Sequence, residues 1–151
     1  MRGALLAFAG TLLAGVVAIA YAQEIKPDRA IKYRQGALTV MGWHFGVLGA
    51  MAKGERPYNK DEAIKRASIV SEVSKLPWEG FTPGSDQGAP TKAKPEIWKE
   101  PGKFKELQDK LIEETGKLAT VAKNGDEAAL KAQVGATGKA CSNCHDDFRA
   151  K

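Results

Sequence analysis

The sequence is poor in the residues on which several common kinds of protein depend. It holds only two cysteines and two histidines in 151 residues, and the cysteines are Cys141 and Cys144. A disulfide between such close neighbours would enclose almost no loop, so a disulfide-stabilised scaffold is excluded. Alternating runs of β-branched residues are missing after residue 22. Their absence argues against a sheet and favours an all-α chain.

The sequence also has no block of basic charge. Lysine and arginine alternate with acidic residues, and removing Arg2 from the 23 basic groups leaves 22 against 18 acidic ones, a net charge of +4. Aromatic residues do not interleave with the basic ones. This pattern is typical of a solvated surface and argues against nucleic-acid binding.

A long apolar run occurs only at the N-terminus. Residues 1–22 carry Arg2 as their one charge and end in Ala20-Tyr21-Ala22, the small-x-small pattern of a signal peptidase site. The alternative is a retained membrane anchor, since about 18 apolar residues can just span a bilayer. We predict that residues 1–22 are a cleaved signal peptide. Residues 23–151 would then form a single domain in the periplasm, with no membrane span.

Two segments with apolar residues at helical spacing occupy the first half of the mature chain. The first begins near Pro27-Asp28, with Asp28 as its predicted cap, and stops before Gly54. The second begins at Asn59, where Glu62 follows three residues later as in a capping box, and ends before Pro77.

Two more helices are predicted after a long connection, residues 79–102, that is rich in proline and glycine. Because four large apolar side chains lie in or beside this connection, we expect it to pack on the apolar surface of the helices. The third helix closes at Asn124-Gly125, where glycine favours a left-handed stop. The fourth is capped by Asp126 and runs over about 127–148. Short links favour an antiparallel, up-down-up-down four-helix bundle.

The last predicted helix carries the sequence Cys141-Ser142-Asn143-Cys144-His145. In this C-x-x-C-H pattern two thiols add to the vinyl groups of a haem and the next residue supplies an imidazole to the iron. On a helix, residues three apart share a face. One short segment is therefore sufficient to attach one haem c covalently and to ligate its iron through His145.

Two other chemistries compete with haem attachment at this motif. A zinc site needs a fourth ligand, and the other histidine, His44, lies on a distant helix without a cysteine partner. A thioredoxin-like redox pair is expected at the start of a helix in a βαβ setting, which an all-α chain does not provide. The haem interpretation is favoured over both.

With these motifs in place, the chain resembles the cytochrome c′ family, the class II c-type cytochromes, which are themselves a standard example of the four-helix bundle. The resemblance covers essentially the whole mature chain. It depends on Tyr33-Arg34-Gln35-Gly36-Ala37-Leu38, on Leu76-Pro77-Trp78, and on the C-terminal haem motif followed by Arg149.

The resemblance implies a sixth iron position that is empty and covered by Leu38, four residues after Arg34. Low-spin relatives have methionine at that place, so the chain resembles the high-spin, five-coordinate branch. Met41, one turn further on, is the competing ligand, but a methionine on this stripe with Leu38 and Phe45 is more often core filler. His44 points away from that stripe, and we expect it at the surface or partly buried.

The remaining site residues are implied by the same resemblance. Trp78 and Phe81 match aromatic positions near the haem, although aromatic residues in a small bundle are core residues by default. Arg34 is expected to pair with a haem propionate or to lie on the surface. Arg149, one turn after His145, is expected beside the proximal pocket and to influence displacement of His145 by nitric oxide, the alternative being an exposed terminal arginine.

These expectations favour a protein that binds small uncharged diatomic gases, nitric oxide and carbon monoxide, with Leu38 moving aside for the ligand and no hydrogen-bond donor beside it. The alternative is a one-electron carrier with redox partner proteins. An enzyme such as a peroxidase ranks last, because no distal His/Arg pair is evident. The resemblance also implies a homodimer through the first two helices, where Gly36, Gly42, Gly46 and Gly49 would permit close packing.

Overall fold

The computed structural model describes residues 25–151, so the predicted signal peptide, residues 1–22, lies outside the described residues. The described chain forms four long helices, with two short helical segments between the second and the third. The helices are α1 (Pro27–Lys53), α2 (Lys60–Val73), a 3₁₀ turn (Pro77–Gly80), α3 (Glu96–Lys99), α4 (Pro101–Asn124) and α5 (Glu127–Phe148). Over residues 25–151, none of these helices combines the length and apolarity that crossing a bilayer requires.

The predicted starts of α2 and α5 are confirmed. The Asn59 side chain accepts a hydrogen bond from the Glu62 amide at 2.8 Å, and the Asp126 side chain accepts one from the Ala129 amide at 2.8 Å. Both caps satisfy amides that have no partner within the helix. The predicted cap of α1 is wrong, because Asp28 lies inside its first turn and α1 begins at a proline, which has no amide hydrogen to cap.

The predicted left-handed stop at the end of α4 is also wrong. Gly125 has φ −88° and ψ 176°, which is extended backbone, and its amide donates to the Val121 carbonyl oxygen at 2.7 Å. Glycine is needed there for space, since an added Cβ would lie 2.6 Å from that same oxygen. The left-handed glycine is instead Gly54 after α1, with φ 74°.

The four long helices enclose one apolar core. α1 packs on α2 and α5, and α4 packs on the same two helices, so the predicted four-helix bundle is confirmed. The links between α1 and α2 and between α4 and α5 are short, as the up-down-up-down arrangement requires. The centre is filled by side chains that are at most 2% exposed, among them Ile31, Leu48, Leu118 and Leu130. Burial of such aliphatic side chains provides the main stabilisation of a bundle.

One buried carboxylate joins α4 to α5. The Glu114 side chain is 8% exposed and binds Lys110 and Lys117 on its own helix at 2.9 Å and 3.0 Å. From α5, the Gln133 side-chain amide donates to the same carboxylate at 2.7 Å. These three partners lower the pKa of Glu114 to about 2, with the hydrogen bond from Lys110 as the largest cause.

The connection between α2 and α4 packs on the bundle, as predicted. Within it, Ser85 is fully buried and Ile97 is 5% exposed. We call residues 80–94 the strap, because they run from the N-terminal half of α1 to the C-terminal end of α5. At that end Ala93 and Arg149 form an isolated antiparallel bridge, and no other β-structure occurs in residues 25–151.

Candidate functional site

The C-x-x-C-H motif lies near the C-terminal end of α5 and faces a large cavity between the helices. Cys141, Cys144 and His145 all line this cavity, which has a volume of about 720 Å³. Both thiols are free and half-buried. The volume lies within the range of about 300–1,000 Å³ that is usual for ligand sites.

Apolar residues of α1 line the same cavity as the motif. Leu38, Met41 and Phe45, which the sequence places on one stripe of α1, all reach the cavity. Leu38 and Phe45 are half-buried, whereas Met41 is only 8% exposed and belongs to the hydrophobic core. The structure thus brings the predicted distal residues and the haem motif to one space.

Aromatic side chains line another part of the cavity. Trp78 and Phe81 come from the 3₁₀ turn and its end, and Phe104 comes from α4. The Phe81 and Phe104 rings meet edge to face at 4.9 Å between centroids, and Phe104 meets Phe148 of α5 at 5.3 Å. Contacts of this kind hold the rings in fixed positions.

Glycine makes room on the α5 side of the cavity. Gly138 lies one turn before Cys141 and lines the cavity, and a Cβ placed on it would be 3.8 Å from the Phe45 ring. A larger side chain would extend from α5 into the cavity. Its three-residue spacing from Cys141 marks the same helical face, where a glycine permits the close approach of a large flat group.

Of the two locations predicted for Arg34, the surface location is wrong, whereas its pairing with a haem propionate stays a prediction. Arg34 lines the cavity, but it is 2% exposed, and its guanidinium donates to Gly80, Ser85 and Thr91 of the strap, so it is not a surface residue. Burial is the main cause that lowers its pKa from the usual value. The hydrogen bonds of this side chain are therefore made to the protein itself.

Arg149 lines the cavity, but not from the helix. α5 ends at Phe148, and Arg149 has an extended backbone that bridges to Ala93, although its amide still donates to the His145 carbonyl oxygen at 3.1 Å. His44 is half-buried on α1, outside the cavity, with its Nδ1 3.0 Å from the Arg66 guanidinium. Burial and the nearby charge of Arg66 lower the pKa of His44.

Polar residues also flank Leu38 on α1, which corrects the expectation that no donor lies near it. Gln35 and Thr39 line the cavity. Their side chains donate within the protein, Gln35 to the Pro90 carbonyl oxygen at 2.9 Å and Thr39 to the Gln35 carbonyl oxygen at 2.7 Å. The cavity near Leu38 is therefore less purely aliphatic than the sequence alone predicted.

The surroundings of the C-x-x-C-H motif favour the uncharged forms of its cysteine and histidine side chains. Burial raises the pKa of Cys141, and it raises the pKa of Cys144 to about 11 with further contributions from the charges of Cys141 and Asp147. Burial and Arg149 lower the pKa of His145. Reactive redox pairs have thiols with lowered pKa values, so this environment differs from theirs.

The donor set fits a covalently attached haem. Two half-buried thiols three residues apart and an adjacent imidazole share one end of a cavity whose other walls carry aliphatic and aromatic side chains. In residues 25–151 no group of three or more His, Cys, Asp or Glu side chains is arranged to hold a metal ion directly. Iron carried by a porphyrin needs only the imidazole from the protein.

Comparison with known proteins gives a consistent family assignment. The sequence profile of the family Cytochrome c′ matches residues 29–149. Cytochrome c′ of Halomonas halodenitrificans is 47% identical over 131 residues, which cover 83% of this chain and 99% of that protein. The crystal structure of cytochrome c′ from Rubrivivax gelatinosus superposes with a TM-score of 0.81 at 44% identity, over 85% of this chain and 100% of the other. A nitric oxide complex of a variant cytochrome c′ from Alcaligenes xylosoxidans has a TM-score of 0.78 at 37% identity, over 85% and 99% of the two chains.

Proposed function

This chain belongs to the cytochrome c′ family, and on that premise we propose that it binds nitric oxide and carbon monoxide at a five-coordinate haem iron, on the face opposite His145. The observation that carries the proposal is that the aliphatic Leu38 reaches the same cavity as the haem motif. The physiological role that follows is the binding or detoxification of nitric oxide, without catalysis of the peroxidase kind. The nitric oxide complex of a relative supports this choice of ligand.

The cofactor is haem c, one per chain and covalently bound. Cys141 and Cys144 would hold it through thioether bonds and His145 would ligate its iron. When bound, the haem supplies an iron centre with one coordination position for a small ligand. Because all three residues lie within two turns of α5, one helix sets both the attachment and the axial ligation.

The distal side chains select the ligand. Leu38, Met41 and Phe45 exclude water and anions by offering apolar surface, which stabilises no charge. Leu38 cannot ligate iron and restricts access by its volume, whereas Met41 serves as core filler. Gln35 and Thr39 donate elsewhere, so a bound dioxygen gains little stabilisation compared with nitric oxide or carbon monoxide.

On the proximal side, Arg149 influences whether nitric oxide displaces His145 from the iron. Its side chain lines the cavity and also a second, open cleft of about 550 Å³ beside His145. Burial is the main cause that lowers the pKa of His145, and the positive charge of Arg149 adds to it, which favours the neutral imidazole that binds metals.

An absorption spectrum of the mature protein, reduced with and without carbon monoxide, tests the proposal. We expect a high-spin spectrum in the absence of the ligand and a large shift on its addition. A low-spin spectrum at neutral pH would reveal a sixth protein ligand, with Met41 as the first candidate, and would overturn the five-coordinate assignment. Material without covalently bound pigment would overturn the haem site itself.

A second candidate function, one-electron transfer, is favoured by one observation. The His145 side chain is exposed and borders the 550 Å³ cleft together with Lys92, Arg149 and Lys151. An accessible haem edge is sufficient for a redox partner protein to exchange an electron. The low-spin spectrum that would contradict gas binding would favour this function.

The site of action follows from the N-terminal sequence. Residues 1–22 have the pattern of a signal peptide that directs export. We therefore place the mature protein in the periplasm. Mass spectrometry of the purified protein should give the mass of residues 23–151 plus one haem, and a mass that includes residues 1–22 would contradict cleavage.

We further propose that the protein is a homodimer that pairs through α1. The side chains of Tyr33, Val40 and Trp43 are 41%, 45% and 72% exposed. With Gly36 between them, they recur every three and four residues, the spacing of a helix–helix seam. A Cβ on Gly36 would meet nothing within 4 Å, so a partner helix has room to approach.

Replacing Trp43 by glutamate places a charge in this seam and should convert a dimer to a monomer, measured by analytical ultracentrifugation. Glu72→Gln, an exposed change on α2 outside the seam, is the control and should leave the sedimentation coefficient unchanged. A wild-type monomer at high micromolar concentration, or a dimer that survives Trp43→Glu, would contradict the proposed interface.

A further inference from the structure

Arg34 anchors the strap to α1. Its Nη1 donates to the Gly80 carbonyl oxygen at 2.8 Å and to Ser85 Oγ at 2.7 Å, and its Nη2 donates to the Ser85 carbonyl oxygen at 2.7 Å and to Thr91 Oγ1 at 3.1 Å. The guanidinium also lies 4.7 Å from the centroid of the Phe81 ring. One buried cation thus fixes four residues of the strap.

The backbone of the strap approaches α1 closely at the same place. A Cβ on Gly80 would lie 2.8 Å from the Arg34 Cβ and 2.9 Å from the Ala30 carbonyl oxygen. Further along, Gly88 has φ +99°, and a Cβ there would lie 3.2 Å from the Pro27 Cβ. The glycines permit a contact that the Arg34 hydrogen bonds then hold.

The other end of the strap is paired with the residues that follow the haem motif. The Lys94 amide donates to the Phe148 carbonyl oxygen at 3.0 Å, and the Ala150 amide donates to the Lys92 carbonyl oxygen at 2.8 Å. His145 lies one turn before this pairing, and its carbonyl oxygen accepts the hydrogen bond that ends α5. The strap therefore links the Arg34 guanidinium to the turn that carries His145.

We propose that Arg34 is a positioning residue for His145, acting through the strap. A segment of fifteen residues held at both ends keeps the last turn of α5 in one place, whereas a segment held at one end opens locally at low free energy. The orientation of the His145 imidazole then depends on a residue of α1 more than 100 positions away. The anchoring itself is independent of the proposed function, but its effect on iron ligation rests on it.

Hydrogen exchange of the haem-loaded protein tests the anchoring. In Arg34→Met we expect the Lys94 and Ala150 amides to exchange at least tenfold faster than in the wild type. Arg29→Met is the matched control, since Arg29 is exposed on the same helix, and it should leave both rates unchanged. Equal rates in Arg34→Met and the wild type would overturn the proposal.

Resonance Raman spectroscopy of the ferrous protein tests the effect on His145. Ser85 is fully buried, accepts a hydrogen bond from Arg34 and does not line the cavity. We expect Ser85→Ala and Arg34→Met to shift the iron–histidine stretching band in the same direction. The shift in the double variant should be smaller than the sum of the two single shifts. A shift in Arg34→Met alone would mean that Arg34 acts on the haem directly, and the proposal would be wrong.

A general loss of stability must be separated from positioning. Leu130→Ala removes a side chain that is 2% exposed, fifteen residues from His145 and so about 22 Å along α5. It should destabilise the protein without moving the iron–histidine band. If the wild type lacks the iron–histidine band, the haem assignment is wrong. The hydrogen-exchange result for the strap would still hold in that case.

Discussion

The clearest consequence of the proposed distal site is that removing the Leu38 side chain should speed the binding of carbon monoxide. Leu38 is half-buried, lines the cavity and packs against the core. A ligand can reach the iron face only after this side chain rotates out of the way. In Leu38→Ala the obstruction is absent, so the free energy needed for the rotation no longer contributes to the barrier.

The size of the effect follows from the burial of the side chain. Full burial of a leucine is worth about 1.5–3 kcal/mol, so displacing a half-buried one costs about 1 kcal/mol. Passing through an unfavourable rotamer adds about 1 kcal/mol. The barrier should fall by about 2 kcal/mol in total, which corresponds to an association rate about thirtyfold higher.

Stopped-flow mixing of the ferrous protein with carbon monoxide measures this rate. Leu107→Ala is a suitable control, because Leu107 is also half-buried but lies outside the cavity lining. It should lower stability without altering the rate. An unchanged rate in Leu38→Ala, or an equal acceleration in both variants, would remove Leu38 from the path of the ligand.

Other predictions concern attachment, packing and acid stability. Replacing both Cys141 and Cys144 by serine should let acidified acetone extract the pigment, which the wild type should retain; extraction from the wild type would contradict covalent attachment. Gly80→Ala should lower the unfolding free energy by roughly 1–3 kcal/mol because its Cβ would collide with α1, whereas Gly116→Ala, with open space around the glycine, should not. Since the pKa of Glu114 falls from 4.5 to about 2 on folding, its stabilisation is full above pH 4.5 and is lost as the pH falls towards 2. Glu114→Gln should therefore cost about 2 kcal/mol at pH 7 and little near pH 2 in denaturant titrations, and an equal cost at both pH values would refute this.

Local sequence signals determined the helices and the arrangement of the motif. The Asn59 and Asp126 caps act within three residues, so their spacing alone located the starts of α2 and α5. The end of α5 near residue 148 and the shared face of Cys141 and Cys144 follow in the same way from helical periodicity. Family resemblance added the expectation of a cytochrome c′ fold, which the comparisons confirm.

Tertiary structure alone decided the features that depend on contacts between distant residues. Nothing near Arg34 in the sequence indicates that its hydrogen-bond partners lie 46 to 57 positions away, in the strap. The departure of Arg149 from α5 has the same origin, because the strap offers backbone partners that compete with another helical turn. Helical periodicity depends only on neighbours along the chain, whereas a buried cation and a bridged terminus depend on which surfaces the folded chain brings together.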